Sequence, residues 1–274
     1  MKTLPFLPLI IIMLMPSISR AQIQNLTLGQ HAYTLSSVHF RTGLELDYYE
    51  DISPDWMKNH IDNPEKIDFD ANGFEIISYA SVIGLAFGGQ LSFINPRISI
   101  GKFRTSRQIN FGIDFTVGRE ALVTFSKTEE QTDSTYNQNQ IYCLMANEFR
   151  IGGEYRYVSS WGRYNAFVGG GVQLGAALNN KMIVFDDSYA IANDNDEMVD
   201  YEEENNYSSI IDTYKAKSSL YLRAFIPFGI SMRVSNFEIG MEHKLGIGAE
   251  QVIGGNASFL YSAGLTYLTL GYHF

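Results

Sequence analysis

Along most of this chain hydrophobic and polar residues alternate with a period of two. From Ile141 to Tyr157 the odd positions include Ile141, Met145, Phe149 and Ile151, while the even ones carry Glu148, Arg150, Glu154 and Arg156. A strand points successive side chains to opposite faces, so this spacing predicts one apolar face and one charged face. The two faces recur from Lys215 to Val234, where Leu220, Leu222, Ile226 and Phe228 oppose Arg223 and Arg233. They recur again from Phe237 to Ala249, where Ile239, Met241 and Leu245 oppose Glu238, Glu242 and Lys244. Residues 109–117 set Ile113 and Phe115 against Asp114, and residues 38–48 set Leu44 and Leu46 against Arg41, Glu45 and Asp47. Between Phe74 and Phe103 the parity slips at Asn95-Pro96. Proline cannot donate to a sheet ladder, which predicts a bulge at that point.

Together these segments predict eight strands, over 35–48, 74–103, 108–127, 139–157, 163–184, 215–234, 236–250 and 259–274. Their connections alternate between short (103–107, 159–162, 234–236) and long (49–73, 128–138, 186–214, 251–258). An even number of strands with short turns at one end and long loops at the other is the pattern of an all-β, transmembrane, antiparallel up-and-down β-barrel. A ten-stranded closure is the alternative, if 74–103 forms two strands and the region before Thr34 adds a pairing. Alternation alone does not say which face meets solvent, so a soluble barrel or sandwich shares that feature. Strand length argues against it, since roughly 15 to 20 residues is far above the soluble average of about 5 or 6. Aromatic residues near strand ends do too: Trp161, Tyr164, Tyr272 and Phe274 suit one interfacial girdle, and Tyr48, Phe74, Tyr136, Phe185, Tyr214 and Phe259 suit the other.

The first residues change the picture from barrel to exported barrel. Lys2, the apolar run from Leu4 to Met15 and the small residues Ser19 and Ala21 read as a signal peptide over residues 1–21. That leaves an N-terminal extension over 22–34 and a barrel over 35–274, expected in the outer membrane of a double-membraned bacterium. No cysteine lies near the cleavage point, so no lipid anchor is expected there. The single cysteine, Cys143, cannot form an internal disulfide, which leaves closure of the hydrogen-bonded sheet as the stabilising device. A net charge of -10 argues against nucleic acid, which needs a basic footprint.

Leu268, Leu270, Tyr272 and Phe274 share one parity in the last strand, ending on an aromatic. In this the chain resembles the small outer-membrane β-barrel family, the OmpA/OmpX-like barrels. The resemblance implies that these four residues serve as the signal read by the barrel assembly machinery. No peptidoglycan-binding domain is seen after the barrel, so anchoring to the cell wall is not implied.

If the apolar face meets lipid, the charged face lines a lumen. The residues expected there are Arg41, Glu45, Asp114, Glu148, Arg150, Glu154, Arg156, Arg223, Arg233, Glu238, Glu242 and Lys244. With Arg163, Lys181, Lys215, Lys217, Asp47, Glu120 and Glu250 the same face carries ten cations against nine anions. Eight tilted strands enclose a space that side chains fill, and balanced charges there can pair, so a salt-bridged interior is favoured over a selective pore. The inward glycines, among them Gly171, Gly175, Gly240, Gly246 and Gly248, are the weak point of that reading, and aromatic and Arg side chains are expected to lie over them.

Negative charge concentrates instead in the loop from Asp186 to Tyr214, which has ten Asp and Glu residues and no Lys or Arg. Its Asp194-Asn195-Asp196-Glu197 cluster lacks the glycine and closing glutamate of a calcium loop, which favours a solvated acidic loop outside the cell. Gly169-Gly170-Gly171 has neither helix nor Lys-Ser/Thr after it, so it is no phosphate cradle. His243 is the one ionisable group on an otherwise apolar face and is a candidate for contact with lipid or a partner. With no carboxylate beside it, no catalytic residue is assigned, and no enzyme, cofactor or metal is expected. The expected partners are outer-membrane lipids, the assembly machinery and other envelope proteins. A structural or surface-interaction barrel ranks first, ahead of a small-solute channel and an accessory subunit of an envelope complex.

Overall fold

The computed structural model describes residues 25–28, 31–49, 54–66, 75–78, 81–95, 98–100, 103–130, 134–186, 189–192, 209–255 and 258–274. Eight long strands carry the architecture: β1 (His31–Tyr49), β2 (Ser81–Ile94), β3 (Phe103–Glu130), β4 (Ser134–Trp161), β5 (Tyr164–Asp186), β6 (Ser219–Val234), β7 (Phe237–Val252) and β8 (Ser258–His273). Each pairs antiparallel with the next in sequence. The last then pairs with the first, from Tyr261 opposite Tyr49 down to His273 opposite Ser37. The sheet therefore closes on itself as an eight-stranded ring, with no edge left unpaired.

The short connections gather at one end, with Gly162 (φ 62°) and Ser235 (φ 58°) supplying the left-handed turn residues. The ten-stranded alternative fails because Asn25–Leu28 folds back on β1 itself and adds nothing to the ring. The segment 74–103 is not one strand. Glu75–Ser78 pairs with the far end of β3, β2 follows, and Ile98–Ile100 makes a tight hairpin with the start of β3. The reversal thus falls before Phe103, and residues 103–107, expected as the turn, lie in β3. Where the sequence pattern predicts a bulge at Asn95-Pro96, Asn95 still donates its N–H to the Arg107 carbonyl. Pro96 itself lies outside the described residues. At the other end, β3 and β4 continue into the expected loop 128–138, pairing as far as Glu130 with Thr135.

Two interruptions turn strands over. Gly118 (φ 61°) sits in a register shift of β3 against both neighbours, the geometry of a glycine bulge. Below it the odd residues Ile113, Phe115 and Val117 face out; above it Leu122 faces out, while Val123 and Phe125 turn inward. A second shift, between Leu178 and Lys181 of β5, turns Met182 and Val184 inward. The upper interior thereby becomes apolar although the lower strands carry charge on that face.

Candidate functional site

The outer surface of the ring is a belt of exposed apolar side chains contributed by every strand, including Leu44, Leu85, Ile113, Ile151, Leu174, Ile226, Leu245 and Leu270. The alternation is sharp: Ile226 is 57% exposed, whereas Arg223, three residues away, is 1% exposed. Leu268 and Phe274 join the outward set, and Tyr272 is half-buried between Phe237 and Phe274. At the short-turn end Trp161 and Tyr164 stack 6.4 Å apart on the outer surface. His243 also faces outward; it hydrogen-bonds Thr266 at 3.0 Å and stacks on Phe228 at 5.5 Å.

Inside, the charged face forms one continuous network of ion pairs in two layers, linked where Arg41 approaches Glu242 at 3.9 Å. Arg41 donates twice to Asp114, at 2.7 Å each, and Gln173 donates to the same carboxylate at 2.8 Å. Glu45 accepts from Arg150 (2.8 Å) and Thr116 (2.7 Å), and Arg223 reaches it at 2.5 Å while donating to Asp47 (2.8 Å) and the Tyr261 hydroxyl (2.6 Å). Arg223 also lies 3.4 Å from Glu148. One layer down, Arg156 pairs with Glu154 and Glu242, and Lys244 bridges the same two carboxylates at 3.2 and 3.3 Å. Rings cover the cations: Tyr267 over Arg41, Phe167 over Arg156 and Phe225 over Lys244. A void of about 10 Å³ is found among Arg41, Glu154, Gln173 and Lys244, at the lower limit of what one water needs.

Glycines make room for this packing. A Cβ at Gly171 would come 2.6 Å from the Phe225 ring, one at Gly248 2.2 Å from the Tyr261 ring, and one at Gly175 2.5 Å from Glu148. At Gly246 it would meet the Ala224 carbonyl at 2.1 Å, and at Gly240 the Ser231 side chain at 2.8 Å.

Among the described residues the buried ions number five cations (Arg41, Arg150, Arg156, Arg223, Lys244) and seven carboxylates (Glu45, Asp47, Asp114, Glu148, Glu154, Glu242, Glu250), a smaller set than the ten against nine expected. Arg163 lies in the exposed turn, and Lys215 pairs with Asp62 at the surface. Lys181 points outward because it follows the β5 shift. Glu120, Lys217 and Arg233 are half-buried, with Arg233 donating to the Ser235 carbonyl. Glu238 lies at the short-turn mouth with His273 at 2.7 Å.

Within 49–73, expected as one of the long connections, the described residues 54–66 form structure of their own. Helix α1 (Pro54–Asn59) and the residues after it drop into the long-loop mouth. Trp56, Met57, His60 and Ile61 are buried against Tyr49, Tyr221, Tyr261, Phe125, Met182 and Val184. Ile61 forms a β-bridge with Ala216, and His60 binds Glu250 at 3.1 Å, a carboxylate that also accepts from Tyr49 (2.8 Å) and Tyr221 (2.9 Å). Phe259, expected in the outer girdle, instead stacks on His60 at 5.3 Å inside, since it has the inward parity of β8. The spacing Trp56, Met57, His60, Ile61 is one face of a helix, a signal available in the sequence. Most of the acidic stretch 186–214, with Phe74 and Tyr136, falls outside what is described of side chains.

The short-turn mouth stays open as a polar vestibule of about 600 Å³, lined by residues such as Ser36, Gln108, Asn165, Arg233 and Thr269. A closed antiparallel eight-stranded barrel with an apolar exterior, an ionic centre and one plugged mouth is the class these observations define. No family model matches the chain, and no curated protein matches it. Among solved structures it is similar to Neisserial surface protein A (10% identity over 87% of this chain and 97% of that one, TM-score 0.26) and to Ail, the attachment invasion locus protein of Yersinia pestis (11% identity over 88% and 100%, TM-score 0.25). At these scores the barrel assignment rests on the strand pairings of this chain.

Proposed function

We propose that this chain is an outer-membrane β-barrel with a sealed interior, serving as a structural or surface-interaction element of the envelope and not as a solute pore. The observation that carries this reading is the stack inside the ring: the α1 plug above, and beneath it the ion-paired centre whose cations Arg41, Arg156 and Lys244 are covered by rings. The apolar belt supplies the lipid-facing surface, and the girdle residues Trp161 and Tyr164 mark its short-turn, periplasmic edge. The long connections and the acidic stretch 186–214 then lie outside the cell, where partners would meet them. Loss of continuity matters more than charge here, because a channel needs an uninterrupted wet path and this interior interrupts it twice. Purified barrel reconstituted in planar bilayers should give no steady single-channel conductance. Steady conductance that disappears when Gly171 is replaced by Phe would show a water path past the ionic layer and establish the channel reading instead.

A further inference from the structure

We propose that the short-turn mouth carries a binding site for a transition-metal dication of the zinc type, built by His39, Glu238 and His273. Each offers one donor atom, and the three donors lie within 4.8 Å of one another. His273 Nε2 and the Glu238 carboxylate are 2.7 Å apart, and the rings of His39 and His273 meet edge to face at 6.0 Å. Ligands on one zinc ion, at metal distances of about 2.0–2.2 Å, are separated by roughly 3.3 Å, so side-chain rotations alone bring the three together. Two imidazoles and one carboxylate suit zinc and its neighbours; calcium takes six to eight oxygens and is not served by this set.

The surroundings are those of a held site. Ser37 Oγ contacts His39 Nε2 at 2.8 Å, fixing the ring and leaving one nitrogen available, and Asn165 donates to Glu238 at 3.3 Å. Gly271 gives the His39 ring its space, since a Cβ there would stand 2.5 Å from Nδ1. Glu238 and His273 are partly exposed toward the vestibule, which supplies an entry path and room for a water as the remaining ligand. Of the cations around the vestibule, Arg156 is taken up by Glu154 and Glu242, and Arg233, opposite Glu238 in the β6–β7 ladder, donates to the Ser235 carbonyl. The three residues come from β1, β7 and β8, so a bound ion would strap the strand pair where the ring closes to the strand beside it.

The test uses untagged, full-length barrel refolded in detergent, stripped with chelator and titrated with Zn²⁺, Co²⁺, Ca²⁺ and Mg²⁺. The expected result is one equivalent of Zn²⁺ per barrel, cobalt ligand-field absorption displaced by Zn²⁺, and a raised urea midpoint with Zn²⁺ but not with Mg²⁺. His39→Ala, His273→Ala and the near-isosteric Glu238→Gln should each weaken Zn²⁺ binding at least tenfold, while His243→Ala on the outer face should not. Heat-modifiable migration on gels shows that each variant is folded, and Glu238→Gln decides the matter if a histidine variant does not fold. No saturable Zn²⁺ binding by the wild type, or unchanged binding by folded Glu238→Gln, overturns the site.

Discussion

Asp114 accepts two hydrogen bonds from Arg41 and one from Gln173 while fully buried, so its charge has no water to fall back on. Removing one partner of such a pair leaves an uncompensated ion, a cost of about 3–5 kcal/mol, whereas replacing both with apolar groups of similar volume is often neutral. Asp114→Ala should therefore lower the stability of the refolded barrel in urea by that amount, and Arg41→Met combined with Asp114→Leu should recover most of it. Equal losses in the single and double variants would mean that the pair is not the source of the stability. At this scale the sequence was informative: the period-two pattern separated Arg150 and Glu242 from Ile226 and Leu245 without knowledge of any partner. Its misassignments have local causes: a register shift precedes Lys181, Arg163 and Lys215 lie at strand ends, and Phe259 sits near a strand end, which suits a girdle, although its parity is the inward one.

At the scale of elements, Gly118 decides what the upper half of β3 contributes. Its left-handed φ of 61° lets the strand take an extra residue, and only then do Val123 and Phe125 reach the plug. Since an L side chain in that conformation costs about 1–2 kcal/mol, Gly118→Ala should destabilise the barrel by that amount, although no atom stands within 4 Å of the added Cβ. Gly170, where an added Cβ likewise meets nothing within 4 Å, is the control: Gly170→Ala, where φ is ordinary, should cost less in the same urea titration. Neither turnover was legible beforehand, because a bulge leaves little trace in composition beyond one glycine among many. The plug left only a faint signal, the spacing Trp56, Met57, His60 and Ile61, because a helix of six residues carries few turns and its stability comes from the barrel wall that buries it.

At the scale of the whole molecule, the arrangement exchanges the usual order of a soluble protein, with apolar side chains outside and ions within. In lipid that order is the stable one, and it makes a depth-dependent expectation. Ile226→Arg near the middle of the belt should cost about 2–4 kcal/mol in vesicle-refolded barrel, whereas Val234→Arg beside the short turn should cost about 0–1 kcal/mol. Equal costs at both depths would mean that the belt does not face a bilayer.

The chain's two tryptophans, Trp56 in the plug and Trp161 on the outer rim, report on both halves of this arrangement at once. Single-tryptophan variants in vesicles of brominated lipid, titrated with aqueous acrylamide, are the measurement that tests it most directly. The expected result is quenching of Trp161 by the lipid and protection of Trp56 from both quenchers. A Trp161 blind to brominated lipid, or a Trp56 that acrylamide reaches freely, would contradict a lipid-facing barrel sealed from within.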